Sequence, residues 1–195
     1  MLFSYKIKYH IIAFCTKKIN SLKFRLNNVN FRDKPIVLGN MMILNYGTFQ
    51  LGNNFKANGG SFFNPIGGDT NLRFIIKKNA FLNIGNNCGI SNTTIVCWKK
   101  IVIEDNVLIG GGCKIWDTDF HSLNHKFRQT EFEFQDVKTK EIHISKNVFI
   151  GANTTILKGV FIGENSIIAA NSLVTKVVPE NQVWGGSPAV YLKDI

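Results

Sequence analysis

The sequence predicts an all-β fold, a chain wound into a three-sided coil of short parallel strands. Two observations carry that prediction. From residue 144 onward, Ile144, Ile150, Ile156, Ile162, Ile168 and Val174 recur at a constant step of six residues. Four places after each anchor before Val174 stands a small or β-branched residue: Val148, Thr154, Val160, Ser166 and Ser172. An α-helix turns ~100° per residue, so a step of six would leave successive anchors ~240° apart around its axis. A strand in a flat sheet would alternate with a period of two and show loop signals between strands. A step of six suits one short extended segment plus one corner. Three such sides close a circuit, and successive circuits stack their anchors into an apolar column that no single coil could bury alone.

The frame extends backward from the regular run. Ile103, Ile109 and Ile115 are anchors, with Val107 and Cys113 four places on. Earlier still, "LGNNF" and "IGNNCGI" repeat one theme around Leu51, Ile84 and Ile90, with Cys88 four places after Ile84. Gly and Asn fit the corners, which need positive φ. The repeat domain is therefore expected over residues 35–178.

The segment 1–34 is different. It holds Lys6, Lys8, Lys17, Lys18, Lys23, Arg25, Arg32 and Lys34 against the single acid Asp33, +7 of the chain's formal +10. Its first half mixes aromatics, aliphatics and lysines and is expected to form a helix with one greasy face. Such a helix either caps the open end of the coil or lies on an anionic membrane surface. Basic charge alone does not signal nucleic acid, and no recognised nucleic-acid module follows it. Residues 179–195 are read as a C-terminal tail.

With 195 residues, 45% hydrophobic and 18% charged, the chain is expected to be one globular domain. No apolar run has the length of a membrane span and no cleavage signature opens the chain, which points to a soluble cytoplasmic protein, with the basic segment offering contact to the inner membrane face. Cys15, Cys88, Cys97 and Cys113 form no CxxC pair and read as free, mostly buried thiols.

Between Ile115 and Ile144 the frame is lost. The stretch "KIWDTDFHSLNH", Lys114–His125, opens a polar interruption over 117–141, the expectation for a loop thrown out from one corner of a rigid scaffold. His121 is the candidate general base, since an imidazole titrating near neutrality suits removal of a hydroxyl proton. Asp119 or Asp117 would orient it, and the spacing does not rank them. His125 reads as solvated or facing an acceptor, His143 adjoins an anchor and points away from the core, and His10 lies in the basic segment. Cys88 and Cys113 occupy inward positions, so no cysteine is expected to act as a nucleophile.

The hexad run and the tail "IIAANSLVTKVVPENQVWGGSPAVYLKDI" resemble the hexapeptide-repeat acyltransferases, in particular the galactoside, maltose and nodulation-type O-acetyltransferase branch, over roughly Ile36–Ile195. The resemblance implies a left-handed parallel β-helix, a homotrimer and acetyl-CoA as donor, with no metal. It matches His121 to the family's base and Phe149 to an aromatic near it. Gly151, Ala152 and Ala170 match the pantetheine lane, and Thr175, Lys176 and Lys193 match the adenine and phosphate end. Asn92 and Trp116 are candidate acceptor contacts. Val190 stands where the family often has Lys or Arg. Ile90 and Trp98 replace an Asn and an Asp of the galactoside branch, which points the acceptor away from galactosides and maltose. The implied activity is acetyl transfer to a sugar hydroxyl in surface-polysaccharide or glycolipid assembly. The alternatives are N-acylation of an amino sugar, serine acetylation, and a zinc hydratase of the γ-carbonic anhydrase type using His121, His125 and His143.

Overall fold

The structure is a computed structural model that describes residues 2–68, 70–131 and 133–195, with side chains described from Lys6 onward. The chain winds through three parallel sheets in strict rotation, giving a left-handed parallel β-helix of triangular section. The first face stacks Asn30–Phe31, Thr48–Leu51, Phe81–Ile84, Lys100–Ile103, Ile142–Ile144 and Phe161–Ile162. The second face runs from Ile36–Gly39 through Leu108–Ile109 and Phe149–Ile150 to Ile167–Ile168. The third runs from Met41–Asn45 through Lys114–Trp116 to Leu173–Val174.

The anchors stack in register. Ile103 pairs with Ile144 and Ile144 with Ile162 on the first face, Ile109 with Ile150 and Ile150 with Ile168 on the second, and Ile115 with Ile156 and Ile156 with Val174 on the third. All of them are buried, as are Val107, Cys113, Val148, Thr154, Val160, Ser166 and Ser172 four places on. Each isoleucine so enclosed contributes ~1.5–3 kcal/mol of apolar burial.

The corners explain the asparagines. Asn54, Asn87, Asn106, Asn147, Asn165 and Asn181 all have positive φ. Asn tolerates that region better than other side-chain-bearing residues because its short amide bonds locally. Here the amides also bond along the prism edge, each Nδ2 donating to the next Oδ1 over 2.8–3.1 Å from Asn54 to Asn181.

Helix α1 (Leu2–Leu26) closes the N-terminal end. Phe24 is fully buried against Phe31 and Phe49. Asn20 Nδ2 donates to the carbonyls of Val37 and Gly39, and Lys23 Nζ to that of Met41. The cap reading of the basic segment therefore describes one side of this helix, and Asn30–Phe31 already belongs to the first face. At the far end residues 182–194 form a hairpin, whose strand Gln182–Gly186 pairs with Ile167–Ile168 and extends the second face.

Two excursions leave the coil. Residues 117–141 leave the edge between the third and first faces. Residues 60–71 leave the edge between the second and third, and had no counterpart in the sequence reading.

Candidate active site

The long loop begins with a buried anchor. The Asp117 carboxylate is fully enclosed and accepts from the backbone N–H groups of Trp98 (2.6 Å), Lys99 (2.8 Å) and Lys100 (2.7 Å), the corner of the preceding coil. All three bonds are charge-assisted. Asp117 is thus not the orienting acid for His121; it clamps the loop's neck to the scaffold. The neck is completed by Lys140 N donating to Asp117 O and Asp119 N to Lys138 O. Burial first, then the Asp117 carboxylate, pushes the adjacent Cys97 thiol well above its ordinary range.

Asp119 also turns away from the imidazole. Its Oδ1 lies 2.7 Å from Lys158 Nζ, on the following coil. Only its backbone serves His121, whose N–H donates to Asp119 O over 2.7 Å. Between them Phe120 has φ +63°, the one residue other than Asn or Gly with positive φ among those described. That conformation costs ~1–2 kcal/mol. Edge-on contacts of the Phe120 ring with Trp98 (5.8 Å) and Trp116 (5.7 Å) offset it at ~0.5–1.5 kcal/mol each.

The tight turn aims His121 outward and back along its own loop. Nδ1 meets Glu133 Oε1 at 2.7 Å; the imidazole is 69% exposed and the glutamate 15%. A carboxylate only accepts, so Nδ1 donates this bond, and in the neutral imidazole that tautomer puts the lone pair on Nε2. Glu133, in the turn Glu133–Gln135, fills the role expected of Asp119 or Asp117. It stands twelve residues after His121, in a stretch with no periodicity to place it. The loop is braced from within: Ser122 Oγ donates to Asp136 Oδ2 (2.5 Å), and Arg128 donates to the Ser122 carbonyl (3.1 Å). The Ser122 hydroxyl, then Lys138, holds the Asp136 carboxyl below its usual range.

Trp98, Trp116, Phe120 and Phe134 form an aromatic cluster whose Phe120 and Phe134 are the chain neighbours of His121 and Glu133, with Lys77 Nζ 3.9 Å above the Trp98 ring. Trp116 packs on Phe120, the residue before His121, whereas Asn92 is engaged elsewhere. Asn92 is buried at a corner with φ +42°; its Oδ1 accepts from Gly60 N (2.6 Å) and its Nδ2 donates to Asn64 O (2.8 Å). It pins the 60–71 excursion, and its amide is spent on backbone. Ile90, compared above with an acceptor contact, is a core anchor and reaches no acceptor.

The donor candidates occupy another edge. Gly151, Ala152 and Ala170 lie at corners between the second and third faces, stacked so that a Cβ on Gly151 would meet Ala170 N at 2.5 Å. Only a glycine lets these two corners approach so closely. Phe149 lines a groove of about 390 Å³ on the second face with Ile36, Leu38, Ser91, Leu108 and Gly110. Thr175, Lys176 and Lys193 are exposed near the C-terminal end. Within one chain, then, the loop of His121 and the Gly151, Ala152 and Ala170 corners stand on different edges of the prism.

The zinc reading fails on geometry. His143 Nε2 is 2.8 Å from Glu104 and its ring stacks on Phe161, on the first face, while His121 is committed to Glu133. Among the described residues no three His, Cys, Asp or Glu converge on a metal position. Cys88 and Cys113 are buried thiols pushed up to about 11 by desolvation, which keeps them protonated and poor nucleophiles at neutral pH.

The comparisons with known proteins fall on this architecture. The family described as bacterial transferase hexapeptide (six repeats) matches residues 141–176, the coils with the unbroken anchor ladder. Those coils carry the family's hexapeptide repeat. It is 36% identical over 104 residues to the galactoside O-acetyltransferase of Escherichia coli K12, covering 53% of this chain and 49% of that protein. It is 27% identical over 172 residues to WbbJ of the same organism, named for O-acetyl transfer in lipopolysaccharide biosynthesis, covering 86% of this chain and 83% of that one. A solved galactoside acetyltransferase in complex with coenzyme A superposes with a TM-score of 0.57 at 26% identity, covering 85% of this chain and 64% of that one. The hexapeptide-repeat chain spans 48% to 63% of the length of the first curated relatives it matches.

Proposed function

We propose that this hexapeptide-repeat chain transfers the acetyl group of acetyl-CoA to a sugar hydroxyl, in the assembly of a surface polysaccharide or glycolipid. The observation that carries the reading is the His121–Glu133 pair, with Nδ1 tied at 2.7 Å on an imidazole that is 69% exposed, in a loop that also builds the Trp98–Trp116–Phe120–Phe134 cluster. Nε2 takes the acceptor's O–H proton while that oxygen attacks the thioester carbonyl, and Glu133 steadies the imidazolium. The tetrahedral intermediate collapses by breaking its C–S bond, and the imidazolium returns the proton to the departing CoA sulfur. No acyl-enzyme forms, in keeping with the buried, protonated thiols.

The aromatic cluster suits the apolar face of a sugar ring, with polar groups left to the rim. WbbJ supports a lipopolysaccharide-type acceptor, since it is matched over most of both chains. The donor lane follows the Gly151, Ala152 and Ala170 corners, and Lys176 and Lys193 supply cations for the phosphates. The 69% exposure of His121 and the position of the lane on another edge favour a homotrimer in which one subunit's base faces its neighbour's lane. Because acetyl-CoA is the donor, the reaction belongs in the cytoplasm.

Incubation with isotopically labelled acetyl-CoA and a panel of nucleotide-linked sugars, lipid-linked sugars, amino sugars and serine tests this. Alkali-labile label on a sugar supports the proposal. Label on an amine or on serine alone overturns the O-acetylation of sugars, and label on none of them, with free CoA not released, overturns the transfer itself.

A further inference from the structure

Helix α1 has two apolar sides, and the cap uses one. Ala13, Asn20 and Phe24 face the coil and are buried. Ile7, Ile11, Phe14 and Leu22 face away from it and remain 46%, 58%, 58% and 55% exposed. With Lys18 they fall within ~80° of arc on the helix surface. Lys18 Nζ lies 4.2 Å from the centre of the Phe14 ring, so its stem follows the stripe. Lys6, Lys8, Lys17 and Arg25 are exposed along the helix, and no carboxylate lies anywhere in Leu2–Leu26.

We propose that the outward side of α1 is a membrane-contact surface, lying flat on an anionic lipid bilayer with Ile7, Ile11, Phe14 and Leu22 in the headgroup–acyl boundary. Charge decides the occupant. A second copy of this helix would bring cations against cations with no acid on either side, which opposes self-association. An anionic leaflet complements the same pattern, each basic residue near it raising partition roughly fivefold. The helix lies on the surface and does not cross it: no helix among the described residues is long and apolar enough to span. The stripe lies on the side of α1 opposite Ala13, Asn20 and Phe24, so docking there does not displace the residues packed on the coil. The inference stands on α1 alone and is independent of the proposed acetyl transfer.

Co-sedimentation with vesicles of phosphatidylcholine, with and without phosphatidylglycerol, tests it. The full chain is expected to bind the phosphatidylglycerol vesicles, to release in high salt, and to ignore phosphatidylcholine alone. Ile11→Glu with Phe14→Glu should lower binding at least tenfold, as should Lys6, Lys8, Lys17 and Lys18 all changed to Gln, with helix content and melting temperature retained because every substituted residue is exposed. Cys15, the one exposed thiol among the four, gives a second readout: an environment-sensitive fluorophore there should shift to the blue on anionic vesicles. No binding to anionic vesicles, or binding undiminished in the Glu variant, overturns the proposal. So does loss of an oligomer in that variant, which assigns the stripe to a second copy.

Discussion

The coils from Ile142 to Val174 and the loop from Asp117 to Glu141 are built from opposite materials. In the coils every job is done many times: anchors in register, one asparagine per turn at the ladder edge, each corner held by the next. In the loop every job is done once, by a single residue: Asp117 on three amides, Phe120 against two tryptophans, Glu133 on His121. The coil therefore sets stability and the loop sets chemistry. Damage to one should leave the other largely intact.

The sharpest separation is expected from His121→Ala. Loss of the base should lower acetyl transfer by ~10²–10⁴-fold with the melting temperature unchanged, since the ring is exposed and packs on nothing in the coil. Ile150→Ala should do the reverse, costing ~2–5 kcal/mol of stability while each folded molecule keeps its turnover, read by denaturant unfolding beside specific activity. Glu133→Gln keeps the shape and removes the charge. It is expected to lower kcat by roughly tenfold and to weaken transfer more than donor binding, because the imidazolium loses its counter-charge only as the proton moves.

A smaller effect belongs to pH. The Asp136 carboxyl is held below its ordinary value in the folded chain, so its contribution is present above that value and lost as pH falls through the depressed one. Asp136→Asn should flatten the acid limb of loop protection, followed by hydrogen exchange over 117–141, and leave the coil's exchange unaltered. The smallest effect is predicted for Cys113→Ser: activity is retained, because that thiol is buried and protonated and takes no part in the chemistry.

What could be read from the sequence follows the same divide. The ladder was legible because each coil repeats the same constraint, so chance agreement fell with every turn. His121 drew notice because it stands where the repeat breaks. Glu133 was not: its link to His121 is made by a non-repeating chain path, and no spacing rule connects residues twelve apart in a loop. Asp117 and Asn92 show a different difficulty. A polar side chain that satisfies buried backbone looks, in sequence, like one that awaits a ligand. The backbone groups they serve, at Trp98–Lys100 and at Gly60 and Asn64, lie on other turns of the chain. The exposed stripe of α1 was hidden for a related reason. A helix greasy on two sides has no single apolar face, and only the fold shows which side is spent.

The central claim is that a Glu133-held imidazole on one subunit works on a donor held along another subunit's edge. Mixed oligomers test it directly. His121→Ala removes the base, and Ala170→Trp fills the exposed corner of the lane; each alone should be inactive. Refolded together in equal amounts, they should recover roughly a quarter of wild-type transfer, since half the bases and half the lanes are intact and meet at random. No recovery, in mixtures shown to contain both subunits, would contradict the account.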